Sequence, residues 1–309
     1  MSLISKHIID LQNLPKSDIE LILNTALTQK EILSRSVKKV PILKGKSICT
    51  LFVENSTRTK CSFEGAAKIL GADITSISQA GSSLKKGESF KDTLLTLEAM
   101  GIDLFIIRHY ASGSAEMASK IVNSKIVNAG DGMHAHPTQG LLDIMTMIEH
   151  KGSIEGLKVL IVGDVFHSRV ARSNIWGLHK LGAKVRICAP KTLLPSCINE
   201  FPCEVYTDLK EAVKDVDVIN ILRIQLERMD GGFFSSINEY NSFYGVNEDI
   251  FNYAKEDTLI MHPGPINRGV EISSAVADGK RSVIVEQVTN GLAVRMAILY
   301  LMLQGETKE

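Results

Sequence analysis

The sequence predicts an α/β protein of two domains, each a parallel β-sheet flanked by helices. Three observations carry that prediction. Apolar runs of strand length alternate with helical patterns; the alternation halts at a charged break, "KGSIEGLK", and restarts with "VLIVGD"; and 309 residues suffice for two cores of ordinary size. The division is expected within residues 135 to 150, giving domains of 1 to 135 and 136 to 285 and a last helix over about 286 to 309.

In chain order, Ser17 with Glu20 three residues on reads as a capping box, and Ile19, Ile22, Leu23 and Ala26 follow at helical spacing. Next come "SICTLFV", a helix over "CSFEGAAKIL", "ADITSIS", a polar loop, helical "DTLLTLEAM", "IDLFIIR" and "IVNAG". A helix begins near "HPTQGLLDIMTMIEH", where Pro137 suits a first turn. After the break, "VLIVGD", "HSRVARSNIWGLHKLGA", "KVRICAP", "EAVKDVDVINILR" and "DTLIMHPGP" repeat the alternation. The final "NGLAVRMAILYLML" is apolar on more than one face and must be buried, although its pattern does not say on which domain.

The 35 basic and 35 acidic side chains cancel, which argues against a nucleic-acid or membrane-surface role driven by overall charge. Arg295 interrupts the last apolar run, which is too short for a membrane span, and the first twenty residues lack the apolar core of a signal peptide. A cytosolic protein is expected. Five cysteines without a CxxC pair suggest neither a disulfide framework nor a zinc ribbon, and most are expected to be small core residues.

The most informative stretch is "ENSTRTK", residues 54 to 60, between a strand and a helix. Phe63, Ala66, Ala67 and Leu70 recur at i, i+3, i+4 and i+7, so the helix starts at Ser56 or Thr57. Its first amide N–H groups lack intrahelical partners and the helix dipole adds positive charge there. An N-cap needs one serine. Here Ser56, Thr57 and Thr59 stand with Arg58, a cation at the unfavourable end of the dipole unless an anion compensates, and phosphate or carboxylate binding follows.

Other polar groups end apolar runs. Arg108 closes "IDLFIIR", where either a ligand or an ion pair would employ it. "HAHPTQ" brings His134, His136 and Gln139 to a helix start, with no further acid or cysteine set to complete a metal site. Arg223 and Gln225 share a side if the strand before them continues, and an arginine beside an amide suits a dicarboxylic amino acid. A dinucleotide would require G-x-G-x-x-G after "VLIV", whereas Gly163 is followed by "DVFHSR"; no cofactor is expected. "MHPGPINRG" reads as a rigid turn and "GSSLKKGESFKD" as a solvated loop.

"FVENSTRT" resembles the carbamoyl-phosphate signature of the aspartate and ornithine carbamoyltransferases, and the remaining segments are similar to the aspartate branch along nearly the whole chain. Asn55 stands where many relatives carry proline, and Lys60 where arginine is common. The resemblance implies that the first domain binds carbamoyl phosphate and the second aspartate, with the C-terminal helix packed on the first. It implies a carbamoyl-phosphate site of Ser56, Thr57, Arg58, Thr59, Arg108, His136 and Gln139, and an aspartate site of Arg169, Arg223 and Gln225. The carbonyls of Gly264 and Pro265 would accept from the carbamoyl amide and the attacking amine.

Ser82 and Lys86 would come from a neighbouring subunit, implying a homotrimer with shared sites; Ser83 is an alternative to Ser82. His134 lies outside the match, Arg172 is left to packing or an ion pair, and Arg228 is structural or an alternative contact. The implied reaction converts carbamoyl phosphate and L-aspartate to N-carbamoyl-L-aspartate and phosphate in pyrimidine synthesis, through residues Arg58, Thr59, Lys86, Arg108 and His136. The sister activity, on ornithine or another amine, uses a cysteine-containing loop where this chain has "HPGP". A regulatory chain and assembly beyond a trimer leave no trace in the sequence.

Overall fold

The computed structural model describes residues 2–78, 87–225 and 232–304. Two compact units divide the chain, Met1–Met145 with Thr289–Glu309, and Thr146–Val288.

The first unit opens with α1 (Lys16–Leu33). Ser17 does not cap it: the helix starts one residue earlier, and the Pro15 carbonyl accepts from the Asp18 and Ile19 N–H groups. The Asp18 carboxylate instead ties down the N-terminal segment through Ile4 and Ser5 N–H. Strands β1 (Ser47–Phe52), β2 (Asp73–Ser78), β3 (Leu104–His109) and β4 (Lys125–Asp131) form a parallel sheet in the order β2-β1-β3-β4. Helices α2 (Thr57–Leu70), α3 (Phe90–Ala99) and α4 (Ser114–Ile121) make the crossovers. β1 and β3 are apolar and buried nearly throughout because a parallel sheet is covered on both faces. Cys49, Leu51, Phe105 and Ile107 pack with Leu94, Leu97, Ala115 and Ala118 on one of those faces.

Helix α5 (Pro137–Lys151) runs across the division at Met145, ten residues beyond the boundary expected at 135. The second unit contains β5 (Lys158–Val162), α6 (Arg169–Lys180), β6 (Lys184–Cys188), β7 (Glu204–Tyr206), α7 (Leu209–Ala212), β8 (Val218–Ile221), α8 (Ile237–Tyr244), α9 (Glu248–Phe251), β9 (Leu259–Met261) and α10 (Ser274–Ala277). Its sheet is also parallel, in the order β7-β6-β5-β8-β9. β7 and the short helices escape periodicity arguments because three or four residues complete no repeat.

The last helix, α11 (Ile284–Leu303), packs its C-terminal part on the first unit. Arg295 is buried there, its guanidinium 5.1 Å from the Phe63 ring centroid and its Nη1 donating to Ser62 Oγ at 2.9 Å. Burial pushes its pKa down to about 10. Lys125 Nζ donates to the Met302 carbonyl near the helix end, where a cation complements the dipole. No helix among the described residues is long and apolar enough to cross a membrane. Of the cysteines only Cys49 and Cys188 are buried, which corrects the expectation that most would be; Cys61 and Cys197 are exposed. Burial pushes both buried thiols up to about 12, so they stay protonated at neutral pH.

Candidate active site

Each sheet order contains one place where successive crossovers leave in opposite directions, and ligands in such sheets sit at the carboxyl ends of the strands there. In the first unit this lies between β1 and β3, where Phe52 and Arg108 are register partners. The turn 53–56 leaves β1 there and delivers the start of α2. Ser56 occupies the N-cap position, yet its hydroxyl makes no capping bond. Thr57 and Arg58 are exposed in the first turn and Thr59 is buried. A first turn with uncapped amides, three hydroxyls and an arginine is an anion cradle.

Arg108, the last residue but one of β3, lies in this cradle's unit and donates from Nη1 to the Ala129 carbonyl at 3.2 Å and from Nη2 to Glu54 Oε1 at 3.1 Å. Both readings of Arg108 thus meet at one side chain: an ion pair holds it at the strand end where a ligand would sit. Glu54 is a site residue that the sequence reading passed over. The signal was present, since an acid beside an anion-binding turn has no business there unless a cation needs holding.

After β4 the chain turns through Asp131, whose carboxylate accepts from Gly113 N–H, Asn128 Nδ2, Ala135 N–H and His134 Nδ1. That buried hub shapes the turn presenting His136. The hydrogen bond that the Asp131 carboxylate accepts from His134 raises the His134 pKa and ties the ring into this hub. His136 is buried just before α5, with Thr138 Oγ1 at 3.5 Å from Nδ1. Gln139 lies in the first turn of α5, where Nε2 donates to buried Asp143 at 3.0 Å. Ser82, Ser83, Lys86 and Arg228 lie outside the described residues.

In the second unit the corresponding place lies between β5 and β8. Gly163 follows β5 at φ +118°, and a Cβ there would meet Tyr240 Oη at 3.0 Å and the Leu222 carbonyl at 3.2 Å, so glycine is required. Val165 is buried where a dinucleotide fingerprint needs its second glycine. Ser168 caps α6 by accepting from Ala171 N–H at 3.1 Å, and Arg169 is the first helical residue. Arg172 is partly buried, which lowers its pKa, and donates to the Phe166 carbonyl at 3.4 Å.

β8 ends at Ile221, so strand alternation does not extend to Arg223 and Gln225. Hydrogen bonds position them instead. Asn267 Nδ2 donates to the Ile224 carbonyl at 3.1 Å, and Gln225 Nε2 donates to the His167 carbonyl at 3.3 Å. The turn after β9 carries Gly264 at φ 64° and a cis peptide to Pro265. Gly264 N–H donates to His262 Nδ1 at 2.8 Å, which leaves the ring proton on Nε2 facing Glu271 at 3.2 Å. Glu271 also accepts from Asn267 N–H at 2.6 Å, so one buried acid fixes both ends of the turn. None of these residues could be paired by spacing alone.

A cavity of about 630 Å³ in the second unit is lined by Phe233, Phe234, Phe243, Tyr244, Lys191 and Glu239, among others. It contains none of the expected ligands, and its aromatic walls do not suit a dicarboxylate; the arginine-bearing strand ends are the better site. Among the described residues no three His, Cys, Asp or Glu side chains are arranged to hold a metal ion.

The chain matches two family models in succession: residues 6–149 match the aspartate/ornithine carbamoyltransferase carbamoyl-P binding domain, and residues 155–302 the Asp/Orn binding domain. It is 56% identical to the aspartate carbamoyltransferase catalytic subunit of Halothermothrix orenii over 309 residues, 100% of this chain and 99% of that protein. Its fold is similar to the catalytic subunit of M. jannaschii aspartate transcarbamoylase, at TM-score 0.85, 34% identity, and coverage of 99% of this chain and 100% of that one. It is also similar to the ornithine carbamoyltransferase of Pyrococcus furiosus, at TM-score 0.88, 30% identity and the same coverage. By the two successive matches and full-length identity, the chain belongs to the aspartate/ornithine carbamoyltransferase family.

Proposed function

We propose that the protein transfers the carbamoyl group of carbamoyl phosphate to the α-amine of L-aspartate, releasing phosphate and N-carbamoyl-L-aspartate for pyrimidine synthesis. The observation that carries the choice of acceptor is the set of segments following β5 and β8, which bear Arg169 at the start of α6 and Arg223 and Gln225 beyond Ile221. Guanidinium groups and an amide suit two carboxylates and would repel a cationic side chain. Fold likeness does not discriminate here, since both sister enzymes share it. The cysteine-free "HPGP" turn agrees with the acidic acceptor.

The amine lone pair attacks the carbonyl carbon, and the carbonyl oxygen of the resulting tetrahedral species gains negative charge. Thr59, Arg108 and His136 are the donors assigned to that oxygen. An incoming oxygen competes with Glu54 for Arg108 Nη2, while the Ala129 carbonyl keeps Nη1 in place. The C–O bond to phosphate then breaks, and the departing phosphate takes the amine's proton. Ser56, Thr57, Arg58 and the start of α2 balance phosphate charge. Gln139 and the Gly264 and Pro265 carbonyls orient the amide and the amine. No protein nucleophile is needed.

The same reading completes each site with Ser82 and Lys86 of a neighbouring copy, in a homotrimer. Mixing inactive Arg58→Ala and Lys86→Ala chains under subunit exchange should restore activity in a minority of sites; silent hybrids would refute sharing. For the reaction itself, phosphate release from carbamoyl phosphate should depend on L-aspartate and not on L-ornithine. Ornithine-dependent release would overturn the acceptor assignment.

A further inference from the structure

Between β5 and α6 the mechanism leaves a buried acid and a buried imidazole unused. Asp164 is 0% exposed and His167 5%. His167 Nδ1 lies 3.0 and 3.1 Å from the two carboxylate oxygens, and the His167 backbone N–H donates to the same carboxylate at 3.1 Å. The Gln225 backbone N–H is a further donor to Asp164, whose pKa burial nevertheless raises. The imidazole is also held edgewise by two rings, Phe166 at 4.8 Å and Phe233 at 5.0 Å between centroids.

This arrangement joins the end of β5, the start of α6 and the chain leaving β8. A buried acid–imidazole pair is a poor way to gain stability compared with apolar packing of the same volume, so its location matters more than its strength. The His167 carbonyl, fixed by the lock on either side of it, accepts from Gln225 Nε2 at 3.3 Å. A carbonyl can only accept, which assigns the amide nitrogen to that side. An amide nitrogen carries two protons; with one on His167, the direction of the other is set. Two residues further on, Arg169 opens α6 behind the Ser168 cap.

We infer that His167, locked on Asp164, is a positioning residue of the acceptor subsite: it fixes the amide plane of Gln225 and the first turn bearing Arg169. The inference rests on the acceptor reading above and adds a residue to it that touches neither substrate.

The test compares His167→Leu, which removes the donor to Asp164, with His167→Asn, whose side-chain amide can restore it. Expected for His167→Leu is an aspartate KM about tenfold higher, with the carbamoyl-phosphate KM unchanged and kcat within about threefold, as for loss of one orienting hydrogen bond. His167→Asn should recover most of the KM. A purely structural role would lower the melting temperature and leave the aspartate KM alone, which would overturn the inference.

Should the leucine variant not fold, the asparagine variant decides: an aspartate KM within about threefold of wild type supports the lock, and a larger rise overturns it. The side-chain amide signals of Gln225 in 15N-labelled protein provide a readout independent of the acceptor. They should be well separated in wild type and collapse towards free-amide positions in His167→Leu; unmoved signals would sink the inference. If wild type were to accept only ornithine, the acceptor reading would fail while those signals still decided the positioning claim.

Discussion

The two units put cations at the same topological place by different means. In the first, the cradle is local: Ser56, Thr57, Arg58 and Thr59 are consecutive residues on one turn, and Arg108 is brought to it by strand pairing and held by Glu54 and the Ala129 carbonyl. In the second, Arg169, Arg223 and Gln225 come from segments over fifty residues apart, tied by Asp164, Glu271 and Asn267 through buried and part-buried hydrogen bonds. A local anion site gets its shape from helix geometry itself. A dispersed one requires buried polar groups, and most of their atoms must find partners because an unmatched one is costly.

The contrast predicts separable kinetic defects. Arg108→Ala should have the largest effect, lowering kcat by about 100- to 1000-fold as for other lost oxyanion donors, with little change in the aspartate KM. It also removes the ion pair with Glu54, so a lower melting temperature should accompany it. Arg223→Ala should act on the other unit alone, raising the aspartate KM so that kcat/KM falls about 10- to 100-fold, the range for a charge-assisted hydrogen bond. Equal loss of carbamoyl-phosphate binding in both variants, read by calorimetry with each substrate alone, would erase the division between the units.

The smallest effect concerns pH. The hydrogen bond that His134 donates to the Asp131 carboxylate raises the His134 pKa above its ordinary value of 6.5. The fold therefore favours protonated His134, and the resulting stability is present in full below pH 6.5 and lost as pH rises through the raised value. Other histidines act oppositely, since burial lowers the pKa values of His7 and His109. The difference between wild type and His134→Gln isolates the first unit's turn. Melting temperatures of the two should diverge at pH 6 and converge at pH 9; a constant gap would mean that the pair does not titrate.

The legible parts of the molecule share a physical property. Helix α2 was readable because its stripe, its cap position and its anion-binding residues lie within fifteen consecutive residues. Strands β1, β3, β5 and β8 were readable because burial on both faces demands uninterrupted apolar runs. Ser17 misled because a serine and a glutamate at the right spacing also occur inside a helix, and Pro15 began this one. Arg223 and Gln225 lie beyond strand alternation because β8 stops at Ile221, and loop hydrogen bonds place them instead.

By itself, then, the sequence determined what periodicity and adjacency encode: two parallel sheets, an anion-binding turn after the first strand, arginines suited to an acidic acceptor, and motifs sufficient for the family resemblance. Only the tertiary structure decided which acids hold those cations and turns in place. Glu54 on Arg108, Asp164 on His167 and Glu271 between His262 and Asn267 are contacts across a sheet or a loop. The Glu54–Arg108 pair depends on strand order, whereas the other pairs close turns three to nine residues long; burial, where low dielectric makes an unmatched partner costly, selects them all.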